Sequence, residues 1–381
     1  MLPYGGDVDD LVNELPPRIR LVVLFGGQSP EHDVSRRSAR EVVAALDPRR
    51  YDIHPVAIAR DGRWMEALST SAILASSGPT ALPDSLVADG PTIDALPTLS
   101  AGDPLDNGPS TPLVVLPVLH GPNGEDGSIQ GLLQLAGVPF VGSGVLGSAA
   151  AMDKSLAKEL IAAAGIPQAR WRSAPVWELD DHALDDIANE LGYPLFVKPA
   201  NMGSSIGVTR AGDWTELGQA VTDAARFDEW LVFEEAVVGG RELEIGLLGN
   251  TDLRTSAIGE IIPGADFYDY ADKYTNAAAK LIVPADLPAT VAAEMATMAI
   301  TAFRALRAEV LGRADFFLDP ERGLLFNEMN TLPGCTPVSM FPVLWEHSGL
   351  HYPALLDELV RLALDRHERQ APRRRSNAGR P

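Results

Sequence analysis

Four polar residues lie near the two ends of one predicted hairpin, in the segment RADFFLDPERGLLFNEMN. If residues 320–323 form a four-residue turn, antiparallel pairing places Asp315 opposite Glu328 and Arg313 opposite Asn330. Strand alternation then puts all four side chains on one face of the sheet. Two opposed carboxylates are unfavourable unless a cation lies between them, and two carboxylates with one amide suit Mg²⁺. The spacing therefore predicts a magnesium site, of a kind that commonly also binds substrate phosphates.

A solvated polar face, in which Arg313 only balances the two acids, is the alternative interpretation of the same residues. The residues Phe316, Phe317, Leu325 and Phe326 flank them in the hairpin. An exposed sheet would leave these large apolar side chains in water, so the metal site is favoured.

A second segment, VKPANMGSSIGV at residues 197–208, combines one lysine with a loop of small residues. Glycines let the backbone approach phosphate oxygens, and the loop N–H groups with Ser204 and Ser205 offer donors. Lys198 precedes the glycines and no G-K-[ST] opens a helix, so the segment is not a P-loop. A plain Gly-Ser turn is the alternative, but the lysine favours a lid over phosphate.

Three further places carry residues of ligand type. FYDYADKYT, residues 267–275, interleaves tyrosines with Asp and Lys without a clear period, which predicts either a functional loop or a partly buried surface loop. Glu31, expected in the first helical turn, is suited to a substrate ammonium. His120 follows the predicted strand 113–119, a frequent ligand position in open α/β sheets. Taken singly, Glu31 and His120 are weak signals.

Charge and composition narrow the class of protein. The 381 residues carry a formal net charge of −21, which repels nucleic acid, anionic membranes and also ATP unless positive charge is concentrated locally. Of the 31 Lys and Arg residues, only those at positions 154, 158, 198, 273 and 280 are lysines. A chain that otherwise uses arginine is expected to keep lysine where a compact ammonium is needed, as at a phosphate. The single cysteine, Cys335, suits a reducing compartment. With no signal peptide and no apolar run near ~20 residues, a soluble cytoplasmic protein is expected, with neither nucleic acid nor membrane as a partner.

The predicted elements divide the chain into three units. Ligand-type residues at strand ends favour an open α/β sheet in the first, which a Pro- and Ser-rich surface excursion at 68–112 interrupts. The first strand is not followed by G-x-G-x-x-G, so a dinucleotide site is unsupported. We predict units at 18–142, 143–238 and 239–368, with strands at 19–25, 113–119, 194–198 and 230–234 and helices over 149–164 and 286–311.

Seven blocks of the sequence follow one another in a specific order. They are GGQSPEHDVS, LHGPNGEDGSIQG, GSGVLGSAAAMDK, VKPANMGSSIGV, GRELEIGLLG, FYDYADKYT and RADFFL…NEMNTLPGCTPVSMFP, within residues 19–363. Together they resemble the D-alanine–D-alanine ligases of the ATP-grasp superfamily. Any one block would be a weak match, whereas all of them in the family's order are specific.

The resemblance implies an α/β protein with a three-domain ATP-grasp fold and an N-terminal open α/β domain. ATP would be clamped between the central and C-terminal domains, with the amino acids facing the N-terminal one. The motif positions imply Lys154 and Lys198 at the ATP phosphates, Glu235 and Glu242 beside adenine and ribose, and Asp315, Glu328 and Asn330 as ligands of two Mg²⁺ ions, for which Mn²⁺ is a substitute.

The resemblance also implies roles on the amino-acid side of the site. Glu31 would bind the ammonium of the first D-alanine in a network with Ser204 and Tyr274, and His120 would lie near its carboxylate. Lys273 and Ser339 would hold the carboxylate of the second D-alanine. Arg313 and the N–H of Gly334 would stabilise an oxyanion.

The implied reaction is the ATP-dependent ligation of two D-alanines through D-alanyl phosphate, with release of ADP and phosphate. Its place would be peptidoglycan precursor synthesis, in a cytoplasmic homodimer. Tyrosine at position 274 accompanies amine nucleophiles in the family, but a D-alanine–D-serine or D-alanine–D-lactate ligase stays the alternative. A silent nucleotide-binding regulator is disfavoured because the motif positions carry chemically competent residues. The departures are the excursion at 68–112, the basic tail and Cys335, where an apolar residue is usual.

Overall fold

The computed structural model describes residues 15–99, 111–262 and 280–378. The strands are β1 (Ile19–Gly26), β2 (Tyr51–Ile58), β3 (Trp64–Glu66), β4 (Leu113–Val118), β5 (Trp171–Pro175), β6 (Leu195–Pro199), β7 (Thr209–Ala211), β8 (Trp230–Glu235), β9 (Arg241–Gly249), β10 (Arg254–Ile262), β11 (Lys280–Ile282), β12 (Val310–Asp319) and β13 (Gly323–Asn330). The helices are α1 (His32–Ala45), α2 (Leu68–Ser76), α3 (Ala95–Leu99), α4 (Ser128–Ala136), α5 (Val145–Met152), α6 (Lys154–Ala163), α7 (Asp181–Leu191), α8 (Trp214–Ala224), α9 (Ala289–Ala305), α10 (Met340–His347) and α11 (Tyr352–Ala378).

The strands form three sheets, and each sheet falls within one of the predicted units. The mixed α/β class is confirmed, while the unit boundaries 18–142, 143–238 and 239–368 stay predictions. The FYDYADKYT segment, and with it Lys273 and Tyr274, lies outside the described residues. Over the part of the chain that is described, no helix is both long and apolar enough to cross a bilayer.

The N-terminal sheet has the strand order β3-β2-β1-β4, with β1 parallel to β2 and β4. β1 is apolar along nearly its whole length because it is buried on both faces. Its Leu21, Val23 and Phe25 pack in one hydrophobic cluster, and Val22 and Leu24 pack in another. The carboxyl ends of β1 and β4 therefore meet at one edge, where ligands bind in open α/β sheets.

The central sheet is antiparallel, in the order β5-β8-β6-β7. Helices α7 and α8 cover one face, and Val197 and Phe233 are fully buried beneath them. Successive residues of a strand point to opposite faces. Alternation therefore places Lys198 on β6 and Glu234 on β8 together on the other face.

The C-terminal sheet is antiparallel in the order β11-β10-β9-β12-β13. Helices α5, α6 and α9 pack on one face. The prediction of one helix over 149–164 was wrong, because α5 and α6 are separate. The side chain of Asp153 accepts a hydrogen bond from the Leu156 N–H at 2.9 Å and caps the start of α6.

The N-terminal and C-terminal units share a hydrophobic core. The cluster that contains Phe25 of β1 also contains Trp345 of α10 and much of α11. Arg366 of α11 donates to the carbonyl of Phe140 at 2.8 Å and to that of Gly142, and it lies 4.2 Å from the centre of the Phe140 ring. Helix α11 therefore ties the two units together.

Candidate active site

A cavity of about 720 Å³ lies where the three units meet. The predicted site residues that line it are Glu31, His120, Lys154, Ser204, Arg313, Glu328, Asn330, Gly334 and Ser339. Five others of the described part, Lys198, Ser205, Glu235, Glu242 and Asp315, are not among its lining residues. The cavity therefore joins residues predicted for the nucleotide with residues predicted for the amino acids.

The hairpin of β12 and β13 has the predicted pairing at its open end. Asp315 pairs with Glu328 and Arg313 pairs with Asn330, which confirms the predicted register. The four-residue turn was wrong, since β12 and β13 already pair at residues 319 and 323, which leaves only residues 320–322 as the turn.

A β-bulge at Asn327 explains how a three-residue turn is compatible with the pairing of Asp315 and Glu328. Phe316 pairs with Phe326, but the next residue of β12, Asp315, pairs with Glu328, so Asn327 is an extra residue in β13. The two phenylalanines pack edge-to-face in the core with ring centroids 5.4 Å apart. In an unbroken strand Glu328 would follow Phe326 onto the core face. The bulge turns Glu328 towards the cavity instead.

Arg313 lies among carboxylates on this face. Its Nε and Nη2 donate to the two oxygens of Asp315, both at 2.8 Å, and Nε is 3.0 Å from Glu244 Oε2. Burial on its own would lower the pKa of Arg313, but Asp315, Glu244 and Glu328 raise it well above its ordinary value. The guanidinium is therefore a permanent positive charge at the cavity wall.

The predicted metal ligands suit Mg²⁺ by their chemistry. Asp315 and Glu328 oppose each other across the ladder, Asn330 follows on the same face, and all three offer oxygen donors. No group of three or more His, Cys, Asp or Glu among the described residues could hold a metal ion by itself. A set of two carboxylates and one amide would share the ion with a substrate. Each oxygen of Asp315 accepts one hydrogen bond from Arg313, which leaves a lone pair on each oxygen for a metal ion.

Lys154 is the first residue of α6, where a positive charge opposes the helix dipole. Helix stability therefore does not explain a lysine at this position. Its Nζ donates at 2.5 Å to the carbonyl of Met202, in the loop that follows β6. Burial lowers the pKa of Lys154. A desolvated ammonium on the cavity wall is suited to a phosphate.

Lys198 is held by a buried carboxylate. Its Nζ donates to Glu234 Oε2 at 2.5 Å, and Lys158 Nζ lies 2.8 Å from the other oxygen, Oε1. Burial on its own would raise the pKa of Glu234, but the two ammonium groups lower it to about 2. The pair predicted as phosphate ligands, Lys154 and Lys198, thus has a third lysine close by.

The loop after β6 contacts the N-terminal unit. Ser204 and Ser205 have φ angles of 50° and 58°, a left-handed conformation that is uncommon outside glycine. The Ser204 hydroxyl donates to Glu31 Oε1. Glu31 precedes α1 as its N-cap residue, and its N–H donates to Ser29 Oγ at 3.2 Å. The expected contact between Ser204 and Glu31 is present, while its third member, Tyr274, lies outside the described residues.

His120 lines the cavity together with a buried acid. Its Nδ1 is 3.8 Å from Glu125 Oε1, and its buried Nε2 has no hydrogen-bond partner in the described structure. Burial on its own would lower the pKa of His120, but Glu125 raises it. The raised pKa favours the protonated ring, and its unused Nε2 is suited to a substrate carboxylate.

The two glutamates predicted beside adenine and ribose lie in different surroundings. The carboxylate of Glu235 accepts from Arg170 Nε at 2.6 Å and from Arg322 Nη1, which ties the central sheet to the β12–β13 turn. Glu242 lies on β9, two residues before Glu244 and therefore on the same face. Their contacts to a nucleotide stay predictions.

The segment before α10 is tightly folded. Thr336 Oγ1 is 2.7 Å from Ser339 Oγ, and a Cβ added at Gly334 would lie 3.1 Å from that same oxygen. A side chain at position 334 would therefore crowd Ser339. Burial raises the pKa of the neighbouring Cys335 thiol to about 12, which argues against a nucleophilic role.

Sequence reasoning missed four charged residues around the site: Glu125, Lys158, Glu234 and Glu244. Simple spacing could have found two of them. Lys158 follows Lys154 by one helical turn on α6, and Glu244 follows Glu242 by two residues on β9. Glu125 lies in the acidic turn after His120 without a periodic signal.

Family models cover most of the chain. The model described as D-ala D-ala ligase N-terminus matches residues 20–143, and the one described as D-ala D-ala ligase C-terminus matches residues 160–361. A D-alanine–D-alanine ligase of Bacillus cytotoxicus is 44% identical over 361 residues, covering 92% of this chain and 97% of its own length. One of Deinococcus radiodurans is 46% identical over 350 residues, covering 91% and 98%.

Solved structures agree with the family models. The D-alanine-D-alanine ligase of Coxiella burnetii superposes with a TM-score of 0.80 at 34% identity, covering 95% of this chain and 98% of that one. The VanG D-Ala:D-Ser ligase of Enterococcus faecalis gives a TM-score of 0.76 at 33% identity, covering 91% and 99%. The expected ATP-grasp fold with an N-terminal α/β domain is thereby confirmed, and the chain belongs to the D-alanine–D-alanine ligase family.

Proposed function

We propose that the chain joins two D-alanines into D-alanyl-D-alanine and consumes one ATP in doing so. The cavity carries the proposal, because it puts three kinds of group around one space. Glu31 suits an ammonium, His120 suits a carboxylate, and Lys154 suits a phosphate. Arg313 adds a permanent positive charge to the same wall. The names of the relatives support the same activity.

The first step activates a carboxylate, which is a poor electrophile. A carboxylate oxygen of the first D-alanine attacks the γ-phosphorus of ATP, the bond to ADP breaks, and D-alanyl phosphate forms. Lys154 and Lys198 offset the charge on the phosphoryl oxygens, and the loop with Ser205 donates hydrogen bonds to them. Mg²⁺ held by Asp315, Glu328 and Asn330 supplies further charge compensation when it is bound.

The second step forms the peptide bond. The neutral amine of the second D-alanine attacks the acyl carbon, negative charge develops on the carbonyl oxygen, and the nitrogen loses a proton that the departing phosphate accepts. Arg313 and the N–H of Gly334 stabilise this oxyanion before phosphate leaves. Glu244, 3.0 Å from Arg313 Nε, helps Asp315 to hold the guanidinium on this face of the sheet.

The amino-acid contacts complete the proposal. Glu31, joined to Ser204, takes the ammonium of the first D-alanine, and His120 takes its carboxylate. Ser339 and Lys273 take the carboxylate of the second. The roles of Lys273 and of Tyr274, which selects an amine acceptor, rest on the motif alone. Glu235 and Glu242 flank adenine and ribose.

One assay tests the proposal directly. Coupled phosphate release is measured with ATP and D-alanine, L-alanine, D-serine or D-lactate in turn, and then with D-alanine mixed with D-serine or D-lactate, and mass spectrometry identifies the products. We expect D-alanine alone to support turnover and to give the D,D-dipeptide. Preference for D-serine as acceptor would instead match the D-Ala:D-Ser relative of similar structure. No phosphate release with any of the four would exclude ligation.

We further propose that the protein is a cytoplasmic homodimer, on the resemblance to the family. Sedimentation of the purified chain at micromolar concentration should give the mass of two copies. A single-copy mass at that concentration would rule out the dimer.

A further inference from the structure

Three charged side chains from three elements meet behind the phosphate side of the site. Lys158 comes from α6, Glu234 from β8 and Lys198 from β6. Each oxygen of Glu234 takes one ammonium, at 2.8 Å for Lys158 and 2.5 Å for Lys198. Lys158 is 3% exposed and Glu234 4%, whereas the side chain of Lys198 keeps 14% of its surface accessible.

The burial of Lys158 needs a reason. Removing an ammonium from water is costly, and a buried ion pair is often no more stabilising than apolar residues of similar volume. Its neighbours Ala157 and Ile161 on α6 belong to the hydrophobic core. Neither Lys158 nor Lys198 is among the lining residues of the cavity, but Lys158 is the more deeply buried of the two, at 3% exposure.

The charges of the cluster suggest that reason. Glu234 paired with Lys198 alone would be neutral, and the positive charge of Lys198 would be compensated before a phosphate arrived. With Lys158 the cluster carries a net charge of plus one. Lys198 is the lysine of this pair that a ligand could contact, because its side chain keeps 14% of its surface accessible against 4% for Lys158.

We propose that Lys158 is a positioning residue for nucleotide binding: by occupying one oxygen of Glu234 it fixes that carboxylate and leaves Lys198 a net positive charge for the polyphosphate. The inference rests on the proposed function, in which Lys198 faces ATP. Glu234 then acts as a shared acceptor that aims one lysine with the help of another. Lys154, on the cavity wall, adds a further positive charge.

The test compares a variant that removes the charge of Lys158 with a double variant that restores the net charge of the cluster without restoring the lysine. Lys158→Met removes one charge and makes the cluster neutral, whereas the double variant Lys158→Met with Glu234→Gln returns it to plus one. We expect Lys158→Met to raise KM for ATP about tenfold or more, because a unit charge near the phosphates is lost. KM for D-alanine should stay within about twofold, since the lost charge lies on the nucleotide side. The double variant should recover most of the ATP affinity.

A matched control removes one positive charge elsewhere. Arg49→Met eliminates a cation whose side chain is 90% exposed, and it should leave both KM values unchanged. Thermal melting of every variant checks folding. The double variant is nearly isosteric and leaves Lys198 as the one charge of the cluster, so it stays informative if Lys158→Met does not fold.

The outcomes separate the inference from the proposed function. An unchanged KM for ATP in folded Lys158→Met would overturn the inference. So would a double variant whose KM for ATP is raised as much as that of the single one, because a purely structural role predicts no rescue. If the wild type shows no ligation, the proposed function fails. Calorimetric ADP binding by the same variants then decides the inference separately.

Discussion

At the residue scale, Arg313 has competing acidic partners. Two oxygens of Asp315 hold it bidentately, and Glu244 lies against the same Nε. Alternation along a hairpin predicted that Arg313 would share a face with acids. It did not predict that Glu244 would come from a neighbouring strand, because that requires knowing which strand lies beside β12. The neighbours of a residue could therefore be predicted within one hairpin but not between strands that are distant in sequence.

We expect Arg313→Ala to lower kcat on the order of 10²–10³-fold while sparing ATP affinity, because an oxyanion donor acts in the transition state. Steady-state kinetics with ATP and D-alanine varied separately measure both. Arg241→Ala is the matched control, since it removes another bidentate arginine from the same sheet, 2.7 Å from Glu260. An Arg313→Ala enzyme with an unchanged kcat would remove the oxyanion role.

Glu234 should leave a mark on the acid side of the stability curve. Its pKa is about 2 in the folded protein against 4.5 for a free side chain, because two lysines stabilise the carboxylate. A lowered folded pKa means that its ionisation stabilises the protein above pH 4.5, and that this contribution is lost as pH falls from 4.5 towards 2.

The comparison that isolates this effect is wild type against Glu234→Gln. Urea denaturation from pH 7 to pH 3 gives the difference in the free energy of unfolding between them. We expect that difference to shrink as the pH falls below about 4.5. A difference independent of pH over this range would show that Glu234 is not held ionised by its neighbours.

At the element scale, the β12–β13 hairpin and the helix predicted over 149–164 show which local features could be predicted from the sequence. The pairing of Asp315 with Glu328 was predicted correctly, but on the assumption of a four-residue turn. The turn has three residues, and the fourth is instead the bulge residue Asn327. Local propensity does not separate these two cases, because the packing of Phe316 on Phe326 decides between them. The break at Asp153 was missed since the alanine-rich segment favours helix on both sides.

The N-cap at Asp153 is expected to serve both stability and function. Asp153→Ala should cost about 1 kcal/mol of stability. It should also raise KM for ATP, because Asp153 Oδ2 accepts from Asn201 Nδ2 at 3.1 Å and the capped turn carries Lys154. Thermal melting and steady-state kinetics measure the two effects.

Asp180→Ala is the control, because Asp180 caps α7 in the same way with a 2.8 Å bond from the Ala183 N–H. It should lose similar stability without a change in KM. Equal kinetics for the two variants would contradict a functional role of the α6 cap.

At the scale of the whole molecule, α11 joins the first and last parts of the chain. Its apolar face belongs to the same core as β1, and Tyr51 of β2 donates to Asp357 at 2.5 Å. The sequence predicted three successive units, several of their strands and the β12–β13 hairpin, since each of these has a local pattern. The packing of α11 against the N-terminal unit could not be predicted from the sequence, because contacts between residues so distant in sequence depend on how the units dock.

We expect Arg366→Leu to lower the free energy of unfolding by on the order of 3 kcal/mol. The carbonyls of Phe140 and Gly142 would lose their donor inside the protein, at about 1–3 kcal/mol for a buried group. Arg369→Leu removes a more exposed arginine of the same helix, 3.2 Å from Glu309, and should cost less than about 1 kcal/mol. Calorimetric melting compares the two. A larger loss for Arg369→Leu would mean that Arg366 does not hold the units together.

The bulge at Asn327 also bears on which changes in length the hairpin tolerates. Because Asn327 is the extra residue of β13, its deletion leaves Phe326 towards the core and Glu328 towards the cavity. Loss of Met329 would instead move Asn330 to the core face. Single-residue gaps are therefore expected to be compatible with activity at one position of this strand and harmful at its neighbours. An alignment of active enzymes would show that difference as a gap confined to the bulge.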